Sequence, residues 1–300
     1  MPSPWSSVAI VVNPTKVDAG GNRAEVETLF ERHGLPAPRW YETTQDDPGE
    51  GMAKQAVADG ADLVVAQGGD GTVRACAAVL CELDAVLGLL PAGTGNLLAR
   101  NLDVPLDLGP AVELLAAGPH RAIDVLELDG TAYVVMAGTG LDALMFEETS
   151  DDLKDLAGWA AYAVAGARAV RRARAHRVRL EADGARHSMR AVGVVVGNVG
   201  TLTGGLELLP DADASDGRMH VAVLTARTVR DWLRLGTSVL RGSRPEATSM
   251  RVLRARDLRV TWPRPLPAEV DGDLVDDRRS VRFGVRPSCL EVCAPEPDGS

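Results

Sequence analysis

Hydrophobic runs in the first third of the chain alternate with segments of helical periodicity. The apolar runs are short and rich in β-branched residues, as buried parallel strands are. The predicted strands are 8–12, 39–42, 63–67 and 86–90, and the predicted helices are 23–32, 50–58 and 73–81. Strands that alternate with helices indicate βαβ units and a parallel sheet.

After about residue 121 the pattern changes to strands that are joined by tight turns. Asp129-Gly130 and Asp183-Gly184 each lie between two strand-like segments, where such pairs are typical of hairpins. The predicted strands of this part are 123–128, 132–137, 176–181, 189–196, 218–224, 251–262 and 281–285, with helices at about 153–173 and 229–240. We therefore predict an α/β domain with a parallel sheet over 1–125, followed by a mainly antiparallel β-sandwich domain over 126–300.

Composition narrows the function classes. The chain has 300 residues and a formal net charge of −10, which argues against a nucleic-acid partner. The longest uncharged run, 191–206, is glycine-rich and shorter than a membrane-spanning helix requires. The four cysteines show neither the number nor the spacing of a disulfide scaffold or a zinc site, and the first fifteen residues hold no Lys or Arg. We expect a reduced, cytoplasmic protein.

Three loops that follow predicted strands carry residues suited to phosphate. The first is Gly68-Gly69-Asp70-Gly71-Thr72, between a strand and a helix. Glycines there allow a ligand to approach the backbone, and the N–H groups at a helix start bind anions. Two further loops, 91–96 with Gly93, Thr94 and Asn96 and 13–16 with Asn13, Pro14, Thr15 and Lys16, end neighbouring strands. Three such loops at one sheet edge predict a nucleotide phosphate site.

These loops resemble the diacylglycerol kinase catalytic domain superfamily, which includes bacterial lipid kinases, sphingosine kinases and ceramide kinases. The resemblance extends over nearly the whole chain. Its further motifs are Asp124 within Ile-Asp-Val, Gly140-Leu141-Asp142-Ala143, Asp216-Gly217 and Asp271-Gly272-Asp273. It implies the fold of the NAD kinase and diacylglycerol kinase class, ATP and Mg²⁺ as cofactors, and a lipid hydroxyl as phosphoryl acceptor.

The resemblance also implies roles for individual residues. Asn13, Thr15 and residues 68–72 would hold the ATP phosphates, with Thr94 and either Thr43 or Thr44 beside the nucleotide. Asp124 would join Asp70 in a Mg²⁺ and water network. In the family the late motif reads Asp-Gly-Glu and its last carboxylate is the expected general base. Here that position is Asp273, with Asp271 as the alternative, and a plain hairpin turn is the competing interpretation of 271–273.

A second cation site is implied at 213–218. The side chain of Asp216 and the carbonyls of Asp213 and Arg218 would be the ligands, since oxygen-only ligation suits Mg²⁺. A solvated acidic turn is the alternative. Two departures from the family pattern weaken the metal prediction: Leu97 follows Asn96 where Asp is common, and Arg74-Ala75 stands where Asn-Glu is frequent.

The predicted function is an ATP- and Mg²⁺-dependent lipid kinase, with diacylglycerol ahead of sphingoid lipids as acceptor. A charge-free segment at 156–167, followed by Arg168, Arg171, Arg172, Arg174 and Arg177, suggests peripheral attachment to the inner face of a membrane, or else a core helix with a basic end. An NAD kinase and an inactive lipid- or nucleotide-binding regulator are the rivals. The sequence does not decide between a monomer and a homodimer.

Overall fold

The N-terminal part is a four-stranded parallel sheet with helices on its faces. In a computed structural model the residues described are 3–17, 19–140, 175–202, 206–226, 231 and 249–296. Its elements are β1 (Val8–Val12), α1 (Ala19–His33), β2 (Arg39–Glu42), α2 (Glu50–Ala58), β3 (Leu63–Gly68), α3 (Asp70–Leu80), β4 (Val86–Pro91), α4 (Leu97–Asn101) and α5 (Leu108–Ala117). The strands follow the order β2-β1-β3-β4. Strands β1 and β3 are buried along their whole length, which explains their continuous apolar sequence.

The C-terminal part is built from antiparallel strands. They are β5 (His120–Leu128), β6 (Thr131–Tyr133), β7 (Met136–Thr139), β8 (His176–Ala182), β9 (Ala185–Ala191), β10 (Gly193–Gly197), β11 (Thr201–Leu202), β12 (Leu206–Glu207), β13 (Met219–Leu224), β14 (Met250–Ala255), β15 (Asp257–Val270) and β16 (Asp273–Cys293). A cluster of buried side chains that includes Trp262 and Phe283 fills the interior of this part. The predicted α/β region followed by an antiparallel sandwich is therefore confirmed.

The long strand β16 joins the two parts. It pairs with β15 and β5 inside the sandwich, and near its end Val292 pairs in parallel with Leu87 of β4. A second hydrophobic cluster includes residues of both parts, among them Leu89 and Leu290. The residues that open β16, at the far end from this junction, are Asp273 and its neighbours. One strand thus connects the predicted carboxylate motif to the parallel sheet.

Several predicted strands have wrong boundaries, and segment 281–285 is only the middle of β16, which has 21 residues. Segment 132–137 is divided between β6 and β7, because β6 pairs with β5 whereas β7 pairs with β10 and β15. Segments 189–196 and 251–262 each contain parts of two strands. The predicted helix at 153–173 and nearly all of that at 229–240 lie outside the described residues, as do Leu141, Asp142 and Ala143. Within the described ranges, no helix has the length and apolar character needed to cross a bilayer.

The expectation that no cysteines pair in a disulfide is wrong. Cys81, directly after α3, is bonded to Cys289 of β16, and the two residues are 208 positions apart in the sequence. The spacing of the cysteines in the sequence does not predict this pair, because only the fold brings the end of α3 and β16 together. Cys76 and Cys293 are free and buried. The disulfide is a second connection between the parallel sheet's helices and the strand that begins at Asp273.

Candidate active site

The first glycine loop turns sharply from β3 into α3. A Cβ on Gly68 would lie 2.6 Å from the Thr72 hydroxyl oxygen, so a side chain at that position would collide with the buried Thr72. Gly69 precedes the helix, and its carbonyl accepts the N–H groups of Thr72 and Val73. Asp70 is the first residue of α3, so its carboxylate lies at the positive end of an eleven-residue helix.

The second glycine loop packs against the first. A Cβ on Gly93 would lie 2.6 Å from the Cα atom of Gly69, so the two backbones are in direct contact. Asn96 has a φ of 48° and closes its own loop, accepting the Gly93 N–H and donating to the Gly93 carbonyl. Thr94 is exposed. The structure therefore brings Gly69 and Gly93 together, as predicted for loops at neighbouring strand ends.

Asp70 lies where the two glycine loops meet. Its Oδ1 atom accepts the backbone N–H of Leu97 at 2.6 Å. A Cβ on Gly95 would lie 2.5 Å from its Oδ2 atom, so a side chain at Gly95 would have to displace this carboxylate oxygen. Among the described residues, Oδ2 has no hydrogen-bond donor. Asp70 is half-buried between the two glycine loops, and its Oδ2 atom is free to bind another group. This arrangement suits a cation that is coordinated by phosphate groups.

The third loop lies beside these two. The Asn13 N–H donates to the carbonyl of Gln67, the residue that precedes the first glycine loop. The Asn13 side chain accepts the N–H and the hydroxyl of Thr15, while Lys16 is exposed. Thr43 follows β2 and is buried, whereas the Thr44 hydroxyl accepts the Asp47 N–H within a turn. The three loops thus share one sheet edge.

The carboxylate turn lies between β15 and β16 and contains Asp271, Gly272 and Asp273. Asp271 has a φ of 46° and Gly272 a φ of 91°, as a tight hairpin requires. The two Asp271 oxygens accept the backbone N–H groups of three consecutive residues, Val134, Val135 and Met136. Burial raises the pKa of Asp271 to about 6, against the effect of these hydrogen bonds. This carboxylate anchors the hairpin to the segment between β6 and β7.

Asp273 is the exposed carboxylate of the turn. Its side chain is 65% exposed, and its Oδ2 atom lies 2.5 Å from the guanidinium of Arg74. The same guanidinium donates to the Val270 carbonyl at 2.8 Å. Arg74 is one helical turn after Asp70 in α3, so both side chains project from the same helix face. Arg74 therefore links the helix of the first glycine loop to the carboxylate turn of the sandwich.

A third carboxylate, Glu269, lies beneath this turn, and the sequence reasoning did not identify it. It is 8% exposed, its Oε2 atom accepts the Gly272 N–H, and a Cβ on Gly138 would lie 3.0 Å from its Oε1 atom. Burial raises the pKa of Glu269 to about 7, and the charges of Asp271 and Asp273 act in the same direction. An acid at every second position over 269–273 is the sequence signal that marks Glu269.

Asp124 occupies a different environment from Asp70. It is fully buried, and its two oxygens accept the N–H groups of Gly217 and Ser288. Burial raises the pKa of this carboxyl. Among the described residues, every hydrogen-bond partner of its side chain belongs to the sandwich and none to the glycine loops. Asp124 therefore ties β5 to the 213–218 loop and to the bulge in β16, and its predicted place in a metal network with Asp70 stays a prediction.

The 213–218 loop is held by its own hydrogen bonds. Asp213 accepts the N–H and the hydroxyl of Ser215; burial alone would raise its pKa, but these bonds hold the pKa below the ordinary value. Asp216 accepts the Arg218 N–H and contacts Nε2 of the buried His220 at 3.0 Å. No group of three or more acids, histidines or cysteines suited to a metal occurs in the described part of the chain. The predicted Mg²⁺ loop stays a prediction.

Family models match both parts of the chain. Residues 7–128 match the diacylglycerol kinase catalytic domain, and residues 134–294 match the YegS C-terminal NAD kinase beta sandwich-like domain. The chain belongs to this kinase family. It is thus an enzyme of the lipid-kinase class, and the resemblance drawn from its motifs is confirmed.

Individual relatives support this membership. The chain is 32% identical over 256 residues to a Pseudomonas aeruginosa protein named "Probable lipid kinase YegS-like", with 84% of this chain and 83% of the relative covered. It is 27% identical over 269 residues to a protein of Bacillus subtilis named "Diacylglycerol kinase", with 88% of each covered. The fold is that of a Bacillus anthracis diacylglycerol kinase crystal structure, with a TM-score of 0.76, 19% identity and 98% of each chain covered.

Proposed function

We propose that the protein transfers the γ-phosphoryl group of ATP to the hydroxyl of a lipid, with diacylglycerol as the leading acceptor. The observation that carries the proposal is the Arg74 bridge. Arg74 belongs to the helix that begins at the phosphate-binding loop, and its guanidinium contacts the exposed carboxylate of Asp273. Phosphoryl transfer requires this proximity, because it depends chiefly on positioning and charge neutralisation.

The glycine loops supply the nucleotide side of the reaction. Their backbone N–H groups and the start of α3 suit the ATP phosphates. Mg²⁺ neutralises phosphate charge when it is bound, and the uncommitted Oδ2 atom of Asp70 fits such an ion. A Bacillus subtilis relative is named diacylglycerol kinase, which favours ATP as donor and diacylglycerol as acceptor here too.

Asp273 is the general base of the proposal. Its Oδ1 atom takes the proton of the acceptor hydroxyl as the hydroxyl oxygen bonds to the γ-phosphorus and the bond to the ADP oxygen breaks. Arg74 orients Asp273 through Oδ2 and leaves the rest of this exposed side chain open to the acceptor. Asp271 does not suit this role, because three backbone N–H groups already occupy its oxygens.

The test is transfer of labelled γ-phosphate from Mg-ATP to diacylglycerol, a sphingoid base, ceramide and NAD, offered in parallel. Labelled phosphatidic acid as the main product supports the proposal. Labelled sphingoid phosphate or ceramide phosphate would identify a different acceptor and would still support lipid kinase activity. Labelled NADP, or ATP binding without any transfer, would contradict it.

A further inference from the structure

One exposed sheet face of the sandwich is rich in arginine. It is formed by β9, β8, β15 and β16, whose outward residues alternate with buried ones along β8 and β15. The arginines of this face are Arg177, Arg179, Arg186, Arg190, Arg259 and Arg282. Its acids are Glu181 and Asp257, so the face is basic although the whole chain carries −10. We refer to these eight residues as the arginine face.

Several of these arginines have no acidic partner in the described ranges. Arg282 pairs with Asp257 at 2.6 Å, and Arg186 approaches Glu181 at 4.0 Å. Arg177 instead donates to the Ser188 hydroxyl and Arg190 to the Ala175 carbonyl. Arg179 and Arg259 form no ion pair with a described residue. Positive charge is therefore left for an external anion.

The arginine face is concave around these residues. A cavity of about 440 Å³ is lined by Arg177, Arg179, Leu180, Glu181, Arg186, His187, Ser188, Arg259 and Thr261. Guanidinium groups bind phosphate oxygens in pairs of parallel hydrogen bonds, and Ser188 and Thr261 add hydroxyl donors. The lining therefore suits phosphate esters rather than an apolar ligand.

We propose that the arginine face docks the protein on an anionic phospholipid bilayer by binding lipid phosphate groups. The inference rests on the proposed function, since a lipid acceptor is what requires contact with a bilayer. The arginines are distributed over four strands, which suits contact with the phosphates of several separate lipid head groups. In the sequence, Arg177 is also the last of the five arginines in segment 168–177.

A bilayer fits this face better than a nucleic acid does. The described lining holds no Phe, Tyr or Trp on which unpaired bases would stack. The net charge of −10 opposes long-range attraction to an anionic bilayer as it does to a nucleic acid, so the basic face acts only locally, within the Debye length of about 8 Å. Attachment should therefore be reversible and weakened by salt.

The test is co-sedimentation of the full chain with phosphatidylcholine vesicles that contain or lack phosphatidylglycerol, without ATP or diacylglycerol. The variant Arg179→Gln/Arg259→Gln removes two charges from the arginine face. At about 1 kcal/mol per arginine near the surface, partitioning onto the anionic vesicles should fall about 30-fold. The control Arg32→Gln/Arg251→Gln removes the same charge from exposed positions on α1 and β14 and should change partitioning less than about 2-fold.

The outcomes separate this inference from the proposed function. Turnover of diacylglycerol in neutral detergent micelles, measured on the same proteins, should be equal in wild type and in Arg179→Gln/Arg259→Gln. If the wild type shows no turnover of diacylglycerol in micelles, the proposed kinase activity is contradicted. The vesicle experiment would still test the docking proposal independently. Equal vesicle binding by variant and control would overturn the docking proposal. Displacement of the protein from vesicles by a low concentration of glycerol phosphate would also overturn it. So would a measurement in which Arg179→Gln/Arg259→Gln loses binding to DNA but keeps its binding to vesicles.

Discussion

The glycine loops and the carboxylate turn are built in opposite ways. The loops at 68–72 and 91–96 are made mainly of backbone, and their contacts are between residues close in the sequence or on adjacent parallel strands. The carboxylate turn is made of charged side chains whose partners are distant in the sequence: Asp271 contacts Val134–Met136, and Asp273 contacts Arg74, 199 residues away. The loops suit a substrate that brings its own charge, whereas the turn supplies charge to an uncharged hydroxyl.

This difference predicts separable defects. Changes in the loops should weaken nucleotide or metal handling, because they remove room or a cation ligand. Changes in the turn should lower the catalytic rate or the stability while ATP still binds. The variants below test this separation, from the largest expected effect to the smallest.

Asp70→Asn should have the largest effect. It removes the charge where the glycine loops meet and keeps an oxygen to accept the Leu97 N–H. We expect transfer to diacylglycerol to fall roughly 100- to 1000-fold, the scale of losing one preorganised electrostatic contact. The melting temperature should stay close to that of wild type. Asp84→Asn, at an exposed position, is the matched control, and equal turnover by the two variants would show that Asp70 has no such role.

Asp271→Ala should affect stability. Three backbone N–H groups lose their acceptor, and one unsatisfied buried donor costs about 1–3 kcal/mol. We expect the free energy of unfolding, measured in urea, to fall by about 3 kcal/mol or more. Asp273→Ala, at the exposed end of the turn, should cost less than about 1 kcal/mol. Equal losses would contradict the assignment of Asp271 as the anchor.

Glu269→Gln should change how stability depends on pH. In the folded protein the pKa of Glu269 is about 7 rather than 4.5, so the unfolded chain loses this proton first as pH rises. Wild-type stability from this group is complete below pH 4.5 and is lost as pH rises through 7. Glu269→Gln should therefore equal wild type at pH 4 and exceed it by roughly 3 kcal/mol at pH 8. The exposed Glu113→Gln should show no such difference, and a parallel pH dependence of Glu269→Gln and wild type would contradict the burial argument.

Arg74→Lys should have the smallest effect on the list. A lysine keeps the charge but cannot hold Asp273 and the Val270 carbonyl with one planar group. We expect kcat to fall about tenfold, equivalent to 1.4 kcal/mol, with KM for ATP changed less than about 2-fold. Arg32→Lys is the control. A large rise in KM for ATP with unchanged kcat would instead assign Arg74 to the nucleotide.

The sequence predicted what depends on local pattern. The parallel strands, the three loops at their ends and the Asp271-Gly272 turn follow from periodicity, glycine placement and turn chemistry. It did not predict the Cys81–Cys289 disulfide, the burial of Glu269 behind Gly138, or the Arg74–Asp273 pair. Each of these joins residues more than 100 positions apart in the sequence. The disulfide and the Arg74–Asp273 pair depend on the packing of the sandwich against α3, and the burial of Glu269 depends on the pairing of β15 with β7. Arg74, which departs from the family's Asn-Glu pattern, thus acquires a partner that no local pattern reveals.

The most direct test of the account measures turnover and ATP binding together in Asp273→Asn. The substitution removes the charge that Arg74 orients and leaves the glycine loops intact. The account predicts that kcat for diacylglycerol phosphorylation falls at least about 100-fold, as expected for loss of a general base, while Kd for ATP and the melting temperature stay at their wild-type values. Turnover within tenfold of wild type would contradict the account, because the acceptor hydroxyl would then be activated by another group.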